Sequence, residues 1–215
     1  MKPTIQNKDY FNVINSYSKA YIAGFIAADG ALVHSSNRNS LYLTITIKYE
    51  DKPILDFIKQ ELGSTHKITD IRKIGSFGKP IHHVRLAFAE KSITNALQVI
   101  GITPRKSLSM PNIIKNIPKQ FRGAFIIGYF DGDGSVTELH NSLNCNSISI
   151  QIRGTVDFLK GITEELNISD SYIHQHGSIP QLSITKREYQ RRFFNFYEGL
   201  PFYYTRKYNK FLGHL

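Results

Sequence analysis

The sequence predicts an α+β chain of two tandem halves, each ordered α-β-β-α-β-β-α. Three observations predict it. An apolar, glycine-containing segment ending in Asp-Gly occurs twice; the same succession of period-2 and helical-period stretches follows each copy; and a chain that is 41% hydrophobic can bury a core under both. The two copies, Ala20-Tyr21-Ile22-Ala23-Gly24-Phe25-Ile26-Ala27-Ala28-Asp29-Gly30 and Ala124-Phe125-Ile126-Ile127-Gly128-Tyr129-Phe130-Asp131-Gly132-Asp133-Gly134, are 104 positions apart.

Each repeat reads as a helix. Small residues recur every fourth position, at Ala20, Gly24 and Ala28 and at Ala124, Gly128 and Gly132, so they form a stripe down one face. Glycine inside a helix costs about 1 kcal/mol relative to alanine, and close pairing of the two repeats supplies the compensating reason, with Gly24, Ala28, Gly128 and Gly132 at the interface. Alternating strands follow at 41–48 and 147–153, then helices at 53–62 and 156–166. Two short strands come next in each half, at 67–74 and 81–88 and at 172–176 and 181–185. Helices at 92–100 and 188–197 close the halves, each trailed by a basic segment, Thr103-Pro104-Arg105-Lys106 and Tyr204-Thr205-Arg206-Lys207. Proline-bounded residues 111–118 read as the linker, dividing the chain into 1–110 and 119–215.

The 27 Lys+Arg against 17 Asp+Glu leave a net charge of +10, which points to a polyanionic partner. No uncharged run approaches the roughly 18 residues of a membrane span, and residues 1–10 lack the apolar stretch of a signal peptide. The single cysteine, Cys145, forms no internal disulfide and no cysteine-based zinc cluster. Abundant Ile, Lys, Asn, Phe and Tyr suggest an AT-rich genome, as in an organelle or phage.

Strand alternation marks a wet face without acids. Leu41, Leu43, Ile45 and Ile47 alternate with Tyr42, Thr44, Thr46 and Lys48, and Ile148, Ile150 and Ile152 alternate with Ser149, Gln151 and Arg153. Such side chains suit phosphates and base edges in a groove. Further candidate DNA contacts are Arg38, Arg72, Lys73, Lys79, His83, Arg85, His174, Gln181, Ser183, Thr185 and Lys186; His82 reads as a strand residue. Gly30 and Gly134 sit where a left-handed helix cap is expected. That places Asp29 and Asp133 at the negative ends of two paired helices, an arrangement that calls for a compensating cation. Oxygen-ligated Mg²⁺ is the natural choice, activating water for phosphodiester hydrolysis. An EF-hand at Asp131-Gly132-Asp133-Gly134 fails on spacing.

The segments 22–30 and 126–134 resemble the LAGLIDADG motif of homing endonucleases, in the single-chain, pseudo-symmetric form. That resemblance implies two antiparallel four-stranded sheets forming a DNA saddle around the helix pair. It also implies metal-dependent cleavage of both strands across the minor groove with short 3′ overhangs, carriage by an intron or intein, and a monomer working on double-stranded DNA. By motif position Asp29 and Asp133 take the metal-binding role, with the Ala28 and Gly132 carbonyls as further ligands. Lys106 and Lys207 take the place of basic residues that approach the scissile phosphate. Mn²⁺ would substitute for Mg²⁺, and Ca²⁺ would bind without supporting cleavage. An intron maturase acting on its own intron RNA, or a non-cleaving DNA-binding relative, is the alternative. Ala27 departs from the motif, which has an acid there, as Asp131 is in the second copy.

Overall fold

The computed structural model describes residues 2–34, 40–75, 78–106, 109–140 and 146–214, so Arg38 and Cys145 lie outside the described residues. In the first half α1 (Tyr17–Asp29) runs without a turn into β1 (Gly30–His34), followed by β2 (Leu41–Lys48), α2 (Pro53–Leu62), β3 (Thr69–Ile74), β4 (Pro80–Phe88) and α3 (Lys91–Ile100). The second half repeats the order with α4 (Arg122–Asp133), β5 (Gly134–His140), β6 (Asn146–Arg153), α5 (Val156–Leu166), β7 (Ile173–His176), β8 (Ile179–Ile184) and α6 (Arg187–Phe194). Each half contributes one antiparallel sheet, in the orders β1-β2-β4-β3 and β5-β6-β8-β7.

Local chemistry accounts for the elements. Ser16 caps α1 by accepting the Lys19 backbone N–H, and Thr155 caps α5 by accepting that of Phe158. Gly63 and Gly101 end α2 and α3 in the left-handed conformation. In β2 and β6 the alternate residues Leu43, Ile45, Ile47, Ile148, Ile150 and Ile152 are buried, which fixes the core face of each sheet.

The centre of the molecule is the pair α1 and α4, which pack along each other. At Gly24 and Gly128 their approach is limited by backbone. A Cβ on Gly24 would overlap the Phe125 carbonyl, and one on Gly128 would overlap that of Tyr21. At the far end a Cβ on Gly132 would collide with the Cβ of Ala28. The small-residue stripe is therefore the contact surface itself.

Three features were not read from the sequence. Gly30 and Gly134 are extended (φ −80°, ψ 152° and φ −96°, ψ 165°), not left-handed, because each helix passes directly into a strand. Glycine is needed there for space, since a Cβ would press on Ile26 and on Phe130 respectively. Residues 111–118 hold a 3-10 turn (Ile113–Asn116) whose Ile113 and Ile114 are buried, as is Ile117, so the connection is a packed strut. Finally, the second basic segment begins a further helix, α7 (Thr205–Leu212), anchored by buried Phe211.

Alanine at Gly24 or Gly128 would gain about 1 kcal/mol of helix propensity yet force two backbones apart. Each single substitution is expected to lower unfolding free energy by a net 2–3 kcal/mol or so, measured by urea denaturation. An unchanged midpoint would show that the helices do not meet this closely.

Candidate active site and nucleic-acid interface

Because α1 and α4 end side by side, Asp29 and Asp133 come together at the floor between the two sheets. A Cβ on Gly132 would lie 3.4 Å from the Asp29 carboxyl carbon, which shows how far that side chain leans onto α4. Asp29 is half-buried and Asp133 more open. Neither takes part in an ion pair or side-chain hydrogen bond among the described residues. Burial, and then the Asp133 charge, push the Asp29 carboxyl up to about 6. Burial also raises Asp133, opposed first by Lys106 and then by Lys207 and Arg153.

Lys106 and Lys207 are buried at the ends of the two motif helices. Lys207 Nζ donates to the carbonyls of Phe130, Asp131 and Gly134 at 2.6, 2.8 and 2.7 Å. Lys106 Nζ donates to the Ala28 carbonyl at 3.3 Å and to that of Gly30. Each ammonium thus satisfies the carbonyls at the end of its own half's motif helix, the task expected of a left-handed glycine cap. The cation that the sequence called for at these negative ends is therefore supplied in part by the chain. An ammonium has three protons. Lys207 spends all three on backbone, and its Nζ turns towards the helix end, where the resemblance implied a phosphate contact. Burial lowers Lys207 to about 8 against the pull of Asp131, and lowers Lys106 against the pull of Asp133 and Asp29. The Ala28 carbonyl, a candidate metal ligand, is occupied by the Lys106 ammonium. That of Gly132 receives no described lysine bond.

Asp131 plays a different part from Asp133. It is 1% exposed, and its Oδ2 accepts the Tyr21 hydroxyl at 2.6 Å and the Tyr204 backbone N–H at 2.8 Å. Its carboxyl, raised to about 6 by burial, ties α1, α4 and the segment leading into α7 together. At the matching position Ala27 is simply buried.

The strand register sorts the candidate DNA contacts. Cross-strand partners share a face, and Thr46 pairs with Arg85 and Lys48 with His83, opposite the core face. Tyr42 and Thr44 share that face by alternation. In the second sheet Gln151 pairs with Ser183 and Arg153 with Gln181, which also faces His174, and Ser149 joins them although only 2% exposed. Polar side chains on this face brace one another: Arg85 Nε donates to Thr46 Oγ1 and Arg153 Nε to Gln181 Oε1, both at 3.3 Å. The two acids within described strands, Asp70 and Glu138, pair with Val84 and Ile148 and so lie on the opposite face. Arg72 joins them, paired with His82, and is not brought to the polar face. Lys73 sits on the polar face at the sheet edge, Lys79 in the β3–β4 connection, and Thr185 just past β8. Lys186 turns away over the Tyr189 ring.

Two clefts open at this floor. One, of about 310 Å³, is lined by Asp29, Thr46, Lys48, His83, Arg206 and Lys207 among others; the second, of about 250 Å³, by Asp133, Lys106, Tyr129, Arg153 and Thr155. Sequence reasoning missed Arg206 and its partner Asp51, which meet across the halves at 3.1 and 3.0 Å. No spacing rule links positions 155 apart; the nearest signal was the Arg-Lys pair at 206–207.

The raised Asp29 pKa means that folding favours its neutral form. The resulting penalty appears as pH rises past the unfolded value of 3.8 and is complete above about 6. Without divalent metal, Asp29→Asn is expected to stabilise the protein by about 1–2 kcal/mol at pH 7.5, the gain shrinking as pH falls to 4. Urea titrations at both pH values check this; equal gains would remove burial as the cause.

Comparison with known proteins adds to this geometry. Residues 120–196 match the model of the LAGLIDADG-like domain. The homing endonuclease I-WcaI, solved bound to its DNA recognition sequence, superposes with a TM-score of 0.64 at 14% identity, over 94% of this chain and 90% of that one. A variant of I-DmoI, solved with its target DNA and manganese, gives 0.52 at 19% identity, over 87% and 93%. A DNA polymerase of Acanthamoeba polyphaga mimivirus is 25% identical over 193 residues, 86% of this chain but 11% of the polymerase, so the chain spans about a tenth of that relative's length. No described helix is long and apolar enough to cross a membrane. With a LAGLIDADG-like domain in its second half and the same element order in its first, the chain has the two-repeat fold of the single-chain LAGLIDADG homing endonucleases.

Proposed function

We propose that the protein is a site-specific endonuclease that hydrolyses both strands of a DNA duplex with a divalent cation held at Asp29 and Asp133. One observation carries this reading: two carboxylates, Asp29 half-buried and Asp133 more open, with no protein partner among the described residues, meet beside two sheet faces that bear no acid. A protein that only held a polyanion would gain nothing from unpaired carboxylates beside it. The donor set fits a hard cation. Two carboxylates leave most of an octahedral shell to water and phosphate oxygens, as Mg²⁺ prefers, and no cluster of three His, Cys, Asp or Glu side chains that could hold a metal occurs among the described residues. Mg²⁺, with Mn²⁺ as substitute, would supply the activation of water and the stabilisation of the leaving oxygen.

The chain's own residues do the rest. Thr46, Lys48, His83 and Arg85 in one sheet, with Gln151, Arg153, His174, Gln181 and Ser183 in the other, hold the duplex over the acids. Lys106 and Lys207 fix the helix ends that carry Asp29 and Asp133. Both acids belong to one chain, which supports a monomeric enzyme, and their places in the two pseudo-symmetric halves support one cut per strand; the resemblance to homing endonucleases implies a short 3′ overhang. Similarity to a tenth of a viral DNA polymerase supports carriage of the module as an insertion within another gene.

Asp29→Asn and Asp133→Asn are each expected to reduce double-strand cleavage of a selected site by roughly 10³-fold or more while duplex binding persists. The site comes from selection of cleaved duplexes out of a randomised library, with Mg²⁺ against EDTA. Retained cleavage in both variants would overturn the assignment. Binding by the uncleaving variants is expected to fall by about 10³-fold or more between 50 and 200 mM salt, through counterion release. An affinity flat over that range would mean that the net charge of +10 faces elsewhere.

A further inference from the structure

Lys207 has no N–H left for a substrate, yet the Asp29 cleft contains two further cations, Lys48 on the sheet and Arg206 beside Lys207. Arg206 donates through Nε to Asp51 Oδ1 and through Nη2 to Asp51 Oδ2, while Nη1 carries no described bond. Its guanidinium also lies over the Tyr204 ring, 5.0 Å from the centroid. The Asp51 side chain is 12% exposed and that of Arg206 54%, so the acid is embedded and the guanidinium reaches solvent. Half of the fork is thus locked and half is open, which is the form of a preorganised phosphate clamp.

The other cleft is built differently. Arg105 precedes Lys106 as Arg206 precedes Lys207, but it is exposed, has no ion pair among the described residues, holds a left-handed backbone (φ 59°) and does not line the Asp133 cleft. The arginine there is Arg153, carried on the sheet and braced by Gln181. Lys106 spends two of its protons on backbone where Lys207 spends three.

We propose that Arg206 is a phosphate-contacting residue of the Asp29 cleft, positioned across the two halves by Asp51, and that the Asp133 cleft lacks its counterpart, so unlike sites serve the two strands. This rests on the endonuclease reading. The test follows each strand separately on an end-labelled duplex carrying the selected site, with nicked and linear forms of a supercoiled plasmid measured in parallel in Mg²⁺. Arg206→Gln is expected to slow one strand by about tenfold or more and leave the other nearly unchanged, so that nicked circle accumulates with every nick on the same strand. Asp51→Asn, which keeps the arginine but loosens its hold, is expected to slow that same strand to a lesser degree. Arg105→Gln is expected to change neither strand.

A merely structural bridge between the halves would show as equal slowing of both strands together with a lowered melting temperature, and that outcome overturns the proposal. Unchanged strand rates in both Arg206→Gln and Asp51→Asn overturn it as well. A wild-type protein that cuts neither strand in Mg²⁺ or Mn²⁺ removes the endonuclease reading itself, an outcome distinct from wild-type cleavage with no strand bias in the variants.

Discussion

The closeness of α1 and α4 is the constraint on which the rest of the molecule depends. Gly24 lies against the Phe125 carbonyl and Gly128 against that of Tyr21, so at these two crossings the helices meet backbone to backbone. That contact sets the separation of the helix ends, and hence of Asp29 and Asp133. It also sets where the sheets begin, because β1 and β5 start at the residue after each acid. A bulkier interface would move the carboxylates and both binding faces together.

Close approach creates an electrostatic problem that the fold resolves only partly. Two helices converge by their negative ends, each ending in a carboxylate. Lys106 and Lys207 relieve the carbonyls by direct hydrogen bonds, but neither forms an ion pair with Asp29 or Asp133 among the described residues. Burial raises both carboxyls, and neither has a protein cation of its own among the described residues, an arrangement that costs stability and favours a cation from solution. Facing them, the polar sides of β2, β4, β6 and β8 carry no acid, so the negative charge is concentrated at one spot on a surface otherwise suited to phosphates.

Much of this was legible in the sequence because it is periodic. The duplicated Asp-Gly helix, the fourfold spacing of small residues and the alternation in 41–48 and 147–153 each report a local rule, and each corresponds to an element in place. What escaped was set by tertiary contact. Gly30 and Gly134 read as left-handed caps because Asp-Gly commonly ends that way; the lysines that satisfy the carbonyls instead lie more than 70 positions away. Arg72 falls on the wrong face because alternation within 67–74 is weak and only pairing with β4 fixes the register. The helix α7 was hidden by a short, strongly cationic sequence whose single deeply buried anchor is Phe211. Asp51 and Arg206 belong to different halves and carry no local signature at all.

The hydrogen bond from Tyr21 to Asp131 bears on how freely the two halves could be exchanged. At the position of Tyr21 the second half has Phe125, and at the position of Asp131 the first half has Ala27. A symmetric dimer of two second halves would bury two carboxyl groups without the hydroxyl donor that Tyr21 provides, and a dimer of two first halves would bury two hydroxyls without that acceptor. The difference at this one pair of sites thus makes the halves complementary rather than interchangeable: each supplies the partner that the other lacks.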